Sequence, residues 1–112
     1  MKLIIAGGRN YSFTELDKED VSRLIFDIGV TEIVSGGAPG ADRAGEEMAQ
    51  ASGVPVKMFS ADWDVHGRAA GPIRNREMAE YADAVALFPG GAGTESMKNE
   101  AYRAGIQIFD FR

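Results

Sequence analysis

Five short, almost continuous apolar runs alternate with four amphipathic stretches along this chain, and that alternation limits its fold more than any other feature. The runs are at 2–6, 32–35, 54–59, 84–88 and 106–111. They lack the polar–apolar alternation of a strand with one wet face, so each reads as a strand buried on both sides. Helical spacing marks about 14–28, 41–51, 73–82 and 94–104. The first carries Leu16, Val21, Leu24, Ile25 and Ile28 on one face, and "SFTE" ahead of it reads as a capping box of Ser12 with Glu15. The second has a small-residue face of Ala41, Ala44, Gly45, Met48 and Ala49, and the fourth buries Met97, Ala101 and Ala104. This order predicts right-handed crossovers and an α/β fold: an open parallel five-stranded sheet with helices on both faces. The 112 residues suffice for one domain, 1–112, with its own core.

Composition excludes several function classes. There is no cysteine, hence no disulfide framework, cysteine metal ligand or cysteine nucleophile. No apolar run approaches a membrane span or a signal peptide, so the expectation is a cytoplasmic protein with no membrane partner. The net charge of −5 divides into −4 over residues 1–56 (5 basic, 9 acidic) and −1 over residues 57–112 (7 basic, 8 acidic). That balance argues against nucleic acid as a partner.

The 14 glycines are not spread evenly. Gly29, Gly53 and Gly105 stand where a helix stops before a strand. Gly45 lies inside the second helix, where it allows close packing on the sheet. The other ten fall in the four strand-to-helix segments: Gly7 and Gly8; Gly36, Gly37 and Gly40; Gly67 and Gly71; and Gly90, Gly91 and Gly93. In an open parallel sheet those segments share the carboxyl edge, where ligands bind. Helix N-termini there present free N–H groups and partial positive charge, which suit phosphate. The alternative is a set of tight turns with no ligand. The expected cradle is Ser35, Gly36, Gly37, Gly40, Pro89, Gly90, Gly91 and Gly93, with Thr94 as hydroxyl donor. Neither a Walker A loop nor a G-x-G-x-x-G fingerprint is present, and no cofactor is implied.

Arg9, Arg68 and Arg74 lie on the same segments, with Arg76 beside them. They suit a bound anion or, alternatively, ion pairs with Asp42, Asp62 or Asp64. Asn75 suits a ribose or base edge. Tyr11 and Trp63 are candidates for stacking on a base, with a packing role the alternative for Trp63. Asp42 either caps the second helix or accepts from ribose hydroxyls. If there is turnover, the candidate carboxylates are Asp42, Glu46 and Glu95; Ser35 has no evident base. Asp62, Asp64 and His66 would share a face on an extended segment, a spacing able to hold a metal, but a solvated loop is the plainer reading and no metal is assigned.

Five stretches, "GGRNY", "VSGGAPGADRAGEEMA", "FSADWDVHGRAAGPIRN", "ADAVALFPGGAGTESM" and "AGIQIFDF", together resemble the small SLOG-superfamily proteins. The nearest group is the YspA/YpsA-related one, long labelled a domain of unknown function and common in phages and mobile elements. The resemblance covers nearly the whole chain. It implies a Rossmann-like fold and a nucleotide or nucleotide-derived ligand such as a nucleoside monophosphate or an ADP-ribose-like molecule, held by a sensor or binding module. It also implies a possible homodimer or larger homo-oligomer. Relatives include cytokinin-activating phosphoribohydrolases and the DNA-processing protein of natural transformation, so nucleotide N-glycoside hydrolysis and a nucleic-acid-associated role are the alternatives. The hydrolase motif P-G-G-x-G-T-x-x-E is matched by Pro89, Gly90, Gly91, Gly93 and Thr94, but Met97 stands at its glutamate. Glu95 and Glu100 lie about 200° and about 300° around the helix from Met97.

Overall fold

The computed structural model describes all 112 residues. Five parallel strands, β1 (Lys2–Ala6), β2 (Glu32–Ser35), β3 (Val56–Met58), β4 (Ala84–Leu87) and β5 (Gln107–Asp110), form one sheet in the order β3-β2-β1-β4-β5. The helices are α1 (Glu15–Asp27), α2 (Ala41–Ala51), a single turn α3 (Trp63–His66), α4 (Ala70–Tyr81) and α5 (Ala92–Ala104), with a 3₁₀ turn at Gly67–Ala69. β1 pairs with β2 on one side (Leu3 beside Ile33) and with β4 on the other (Ile4 beside Val85). The chain therefore reverses its direction of winding between β1 and β4. This is the α/β architecture that the strand pattern predicts and the Rossmann-like fold that the resemblance implies.

Because the central strands are apolar on both faces, two cores form. On one face Leu3, Ile5, Ile33, Ala84 and Ala86 pack against Val21 of α1 and Ala41 and Ala49 of α2. On the other Ile4, Val34, Val85 and Leu87 pack against Met78 and Ala79 of α4 and Met97 and Ala101 of α5. Gly45 behaves as expected: a Cβ there would lie 2.7 Å from the Ile5 side chain. The helix-stop glycines Gly29, Gly53 and Gly105 have φ of 65°, 69° and 73°.

Several local expectations are corrected. The capping box on α1 is Thr14 with Asp17, not Ser12 with Glu15; the Thr14 and Asp17 side chains each bond the other's backbone N–H at 3.0 Å. Asp17 also receives the Tyr11 hydroxyl, which turns it inward and leaves Leu16 exposed. β3 is shorter than its apolar run because it is an exposed edge strand. α4 begins three residues before the expected start, since Pro72 falls in its first turn, where no N–H is needed. Gly71 is accordingly helical. The segment from Asp62 to His66 is a helical turn capped by Asp62, whose carboxylate accepts from Val65 N–H at 3.2 Å. On a helical turn the three no longer share one face: Asp64 lies about 200° around from Asp62. Ala104 is exposed at the end of α5.

Candidate functional site

At the reversal the chain leaves β1 for one face and β4 for the other, which opens a crevice at the carboxyl edge. A cavity of about 500 Å³ occupies it. Its walls come from the end of β1 (Ala6, Gly7, Gly8, Arg9), the start of α2 (Ala38, Asp42), α3 and α4 (Trp63, Arg68, Gly71, Pro72, Arg74, Asn75, Met78) and the first turns of α5 (Gly91 to Thr94, Ser96, Met97).

Three corners are drawn together to make this crevice. Gly8 N–H donates to Pro89 O at 2.8 Å, and Ala41 N–H donates to Gly8 O at 3.1 Å. The join leaves no room for side chains. A Cβ on Gly40, whose φ is 79°, would lie 2.2 Å from Gly8 O, and one on Gly90 would lie 2.1 Å from Thr94 Oγ1 and 2.6 Å from Gly8 N. Beneath the join, fully buried Phe88 packs on Phe13, Phe111 and Tyr11, with ring centroids 4.6, 5.4 and 6.2 Å away.

The first turn of α5 is different. Gly91 is its N-cap and makes no side-chain cap, so the N–H groups of the first turn have no partner in the helix. A Cβ on Gly91 or Gly93 would meet nothing within 4 Å, and neither has positive φ. Thr94 is only 4% exposed, lines the cavity, and its hydroxyl has no hydrogen-bond partner within the protein. Gly93 is helical, where glycine is worse than alanine by about 1 kcal/mol. Nothing in the fold demands that sacrifice.

Three arginines and one acid line the wall, a local balance of 3 − 1 = +2 in a chain of net −5. Arg74 is held in place: Nη1 donates to Gly36 O at 2.8 Å and Nε to Asn75 Oδ1 at 3.2 Å. Burial and neighbouring Arg9 lower its pKa, against the pull of Asp42. The two guanidinium groups repel each other. Asp42 is 7% exposed and forms no ion pair. Burial pushes its pKa up to about 6, against the opposing pull of the Ala38 N–H (3.3 Å) and Arg74, with nearby Glu46 adding to the rise. Trp63 is 51% exposed at the mouth, its ring against Gly71, so it is available for stacking rather than serving as a core anchor.

The structure thus gathers twelve of the candidate residues on one wall: Gly7, Gly8, Arg9, Asp42, Trp63, Arg68, Gly71, Arg74, Asn75, Gly91, Gly93 and Thr94. The others serve elsewhere. Ser35 is wholly buried and donates to Glu46 Oε2 at 2.7 Å while accepting from Gly37 N–H, which ties β2 to α2. Gly36 lies under the Arg74 guanidinium, and Gly37, Gly40, Pro89 and Gly90 shape the corners without lining the cavity. Tyr11 is turned away, with its hydroxyl on Asp17. Glu95 points outward to Lys98 and Arg112. Exposed Arg76 does not line the cavity. Asn75 is engaged by Ser96 Oγ and Gly93 O as well as by Arg74, so it fastens α4 to α5. Ser96, Ala92, Ala38, Pro72 and Met78 line the wall without a sequence signal of their own; only helical phase relative to Thr94 could have pointed to Ser96.

A second hollow of about 510 Å³ lies beyond the β1–α1 loop, beside Tyr11, Phe13 and Met48. Lys18 and Arg43 against Glu47 give its lining a balance of 2 − 1 = +1, with Arg43 and Glu47 3.8 Å apart. No helix is long and apolar enough to cross a membrane.

Comparison with known proteins agrees with this geometry. Over 97% of this chain the fold matches DNA processing protein A (DprA) from Streptococcus pneumoniae, with a TM-score of 0.73 at 20% identity. This chain spans about half (49%) of that protein. The Gene 61 protein of Mycobacterium phage D29 is 38% identical over 87 residues, 70% of each chain. Residues 1–66 match the family described as YspA, cpYpsA-related SLOG. The chain belongs to the YspA, cpYpsA-related SLOG family.

Proposed function

We propose that this chain binds a phosphate-bearing nucleotide or nucleotide derivative in the crevice between β1 and β4, as a sensor or ligand-binding module. The observation that carries the reading is Gly93: a helical glycine, facing open cavity, with no neighbour and no backbone angle that requires it. A bare, uncapped helix start beside Arg9 and Arg74 suits an anionic phosphate. Trp63 suits a base. Family membership and the DprA-like fold agree with a nucleotide-related module.

Replacing Gly93 with leucine tests this. A Cβ at this cavity-lining position meets no protein atom within 4 Å, so the free protein should keep or slightly raise its melting temperature. Nucleotide affinity, measured by calorimetry, should fall by about a hundredfold or more, as the seat is filled. Unchanged affinity would rule the seat out.

A buried Asp42 in the same cavity, its pKa pushed up to about 6 by burial, supports a second reading, N-glycoside hydrolysis. Against it, Asp42 is the only carboxylate on the wall, and Met97, 2% exposed, fills the position of the hydrolase glutamate. Incubating bound nucleotide and weighing the products separates the two: intact nucleotide means a binding module, free base an enzyme.

A further inference from the structure

An anionic ligand in this crevice shares it with a buried acid, an observation that matters if the nucleotide reading above, on which this inference rests, is right. Asp42 is 7% exposed and is the one acid on the cavity wall. Its carboxylate accepts from the Ala38 N–H at 3.3 Å and makes no ion pair. A Cβ on Gly36 would lie 2.8 Å from Arg74 Nη1 and 3.1 Å from Asp42 Oδ2, so the two charges stand close to each other without a direct bond.

The charged groups around Asp42 come from four segments. Arg74 acts on it from α4, Arg9 and Arg68 line the same cavity from the β1–α1 loop and the 3₁₀ turn, and Glu46 lies one turn further along α2. β2 contributes Ser35, bonded to Glu46, and α5 contributes the Thr94 and Ser96 hydroxyls but no charge. Burial is the main cause that pushes the Asp42 pKa up to about 6; Glu46 adds to the rise, and Arg74 opposes it. A bound anion moves this balance one way only. It neutralises the arginines and repels the carboxylate through a medium that screens weakly. A negative group within about 8 Å of a desolvated carboxylate raises its proton affinity by about tenfold or more.

We propose that the crevice takes up its anionic ligand together with a proton from solvent, and that the Asp42 carboxylate is where this proton goes. Ligand and proton then assist each other. The ligand binds more tightly as pH falls from 8 to 6, and at fixed pH each binding event draws in part of a proton.

Calorimetric titration of the full chain with NAD, ADP-ribose, AMP and GMP at pH 6, 7 and 8, without magnesium, tests this. The readout is the ratio of wild-type to Asp42→Asn affinity for each probe, in which the titration of the probe's own phosphate cancels. That ratio should rise by about fivefold or more from pH 8 to pH 6. Asp42→Ser, a second uncharged variant, should give the same trend. At pH 7, heats in two buffers of different ionisation enthalpy should show proton uptake by the wild-type chain in excess of that by either variant. His66→Gln removes the one histidine, which is exposed, and should leave the wild-type behaviour unchanged. A ratio that does not change with pH, or equal proton uptake by wild type and variants, overturns the proposal while the nucleotide reading stands. If none of the four probes binds, that reading itself falls and this inference with it.

Discussion

Gly40→Ala is expected to destabilise the free protein by about 3 kcal/mol or more, lowering the melting temperature by roughly 10 °C. Two effects act together. The φ of 79° belongs to the left-handed region that a side chain resists, and the new methyl would sit 2.2 Å from Gly8 O and 2.5 Å from Arg9 O. Gly8 O cannot retreat freely, because it holds the N–H groups of both Tyr11 and Ala41. The β1–α1 loop that carries Arg9 must move, so ligand binding should weaken as well. Urea unfolding gives the stability change directly. A loss below 1 kcal/mol would show that the corner is not the clamp described above. Gly91→Ala is the matched control, since a Cβ there meets nothing.

Asp42→Asn should do the opposite, stabilising the protein at pH 7.5 by about 2–3 kcal/mol. The sign follows from the direction of the shift. Burial holds the folded-state pKa near 6, above the ordinary 3.8. The unfolded chain therefore releases this proton first, and the wild-type protein loses stability as pH rises from about 4 to about 6. The penalty is complete above about pH 7 and absent well below pH 4. A shift of about 2 units corresponds to about 3 kcal/mol. Asparagine has no such titration, so the variant's advantage should grow between pH 4.5 and pH 7.5 by about 2 kcal/mol. Unfolding curves for both proteins at the two pH values measure it. An advantage that does not change with pH would mean that Asp42 ionises normally in the fold. A residue that weakens the fold at neutral pH and lines the cavity is what a functional site looks like.

Both predictions concern residues that stand out in the sequence, but for reasons the sequence does not separate. The strand runs gave away the sheet because central strands of a parallel sheet must be apolar on both faces. The order of elements placed the glycine segments on one edge. What sequence could not do was sort the glycines. Gly36, Gly40, Gly90 and Gly93 look alike on the page, yet the first three are bare because other protein atoms fill the space and the last because nothing does. That distinction depends on contacts between segments more than 30 residues apart, such as Gly8 with Gly40 and Pro89. The same limit applies to Ser35 and Glu46. Their types suit chemistry, but they are bonded to each other and neither lines the cavity. Trp63 was ambiguous because an exposed turn and a core anchor share the same residue type. The missed start of α4 has a local cause: Gly71 and Pro72 read as breakers, although a first helical turn accepts both.

The central claim is that the crevice between β1 and β4 holds a phosphate-bearing nucleotide. A thermal-shift screen of the wild-type chain with nucleoside mono-, di- and triphosphates, NAD, ADP-ribose and cyclic dinucleotides at about 1 mM tests it most directly. A ligand present at 100 times its dissociation constant adds about 2.7 kcal/mol, which is a shift of roughly 10 °C. The account predicts such a rise for at least one member of the panel, and its loss in Gly93→Leu. No shift with any member, or a shift that Gly93→Leu leaves intact, would contradict it.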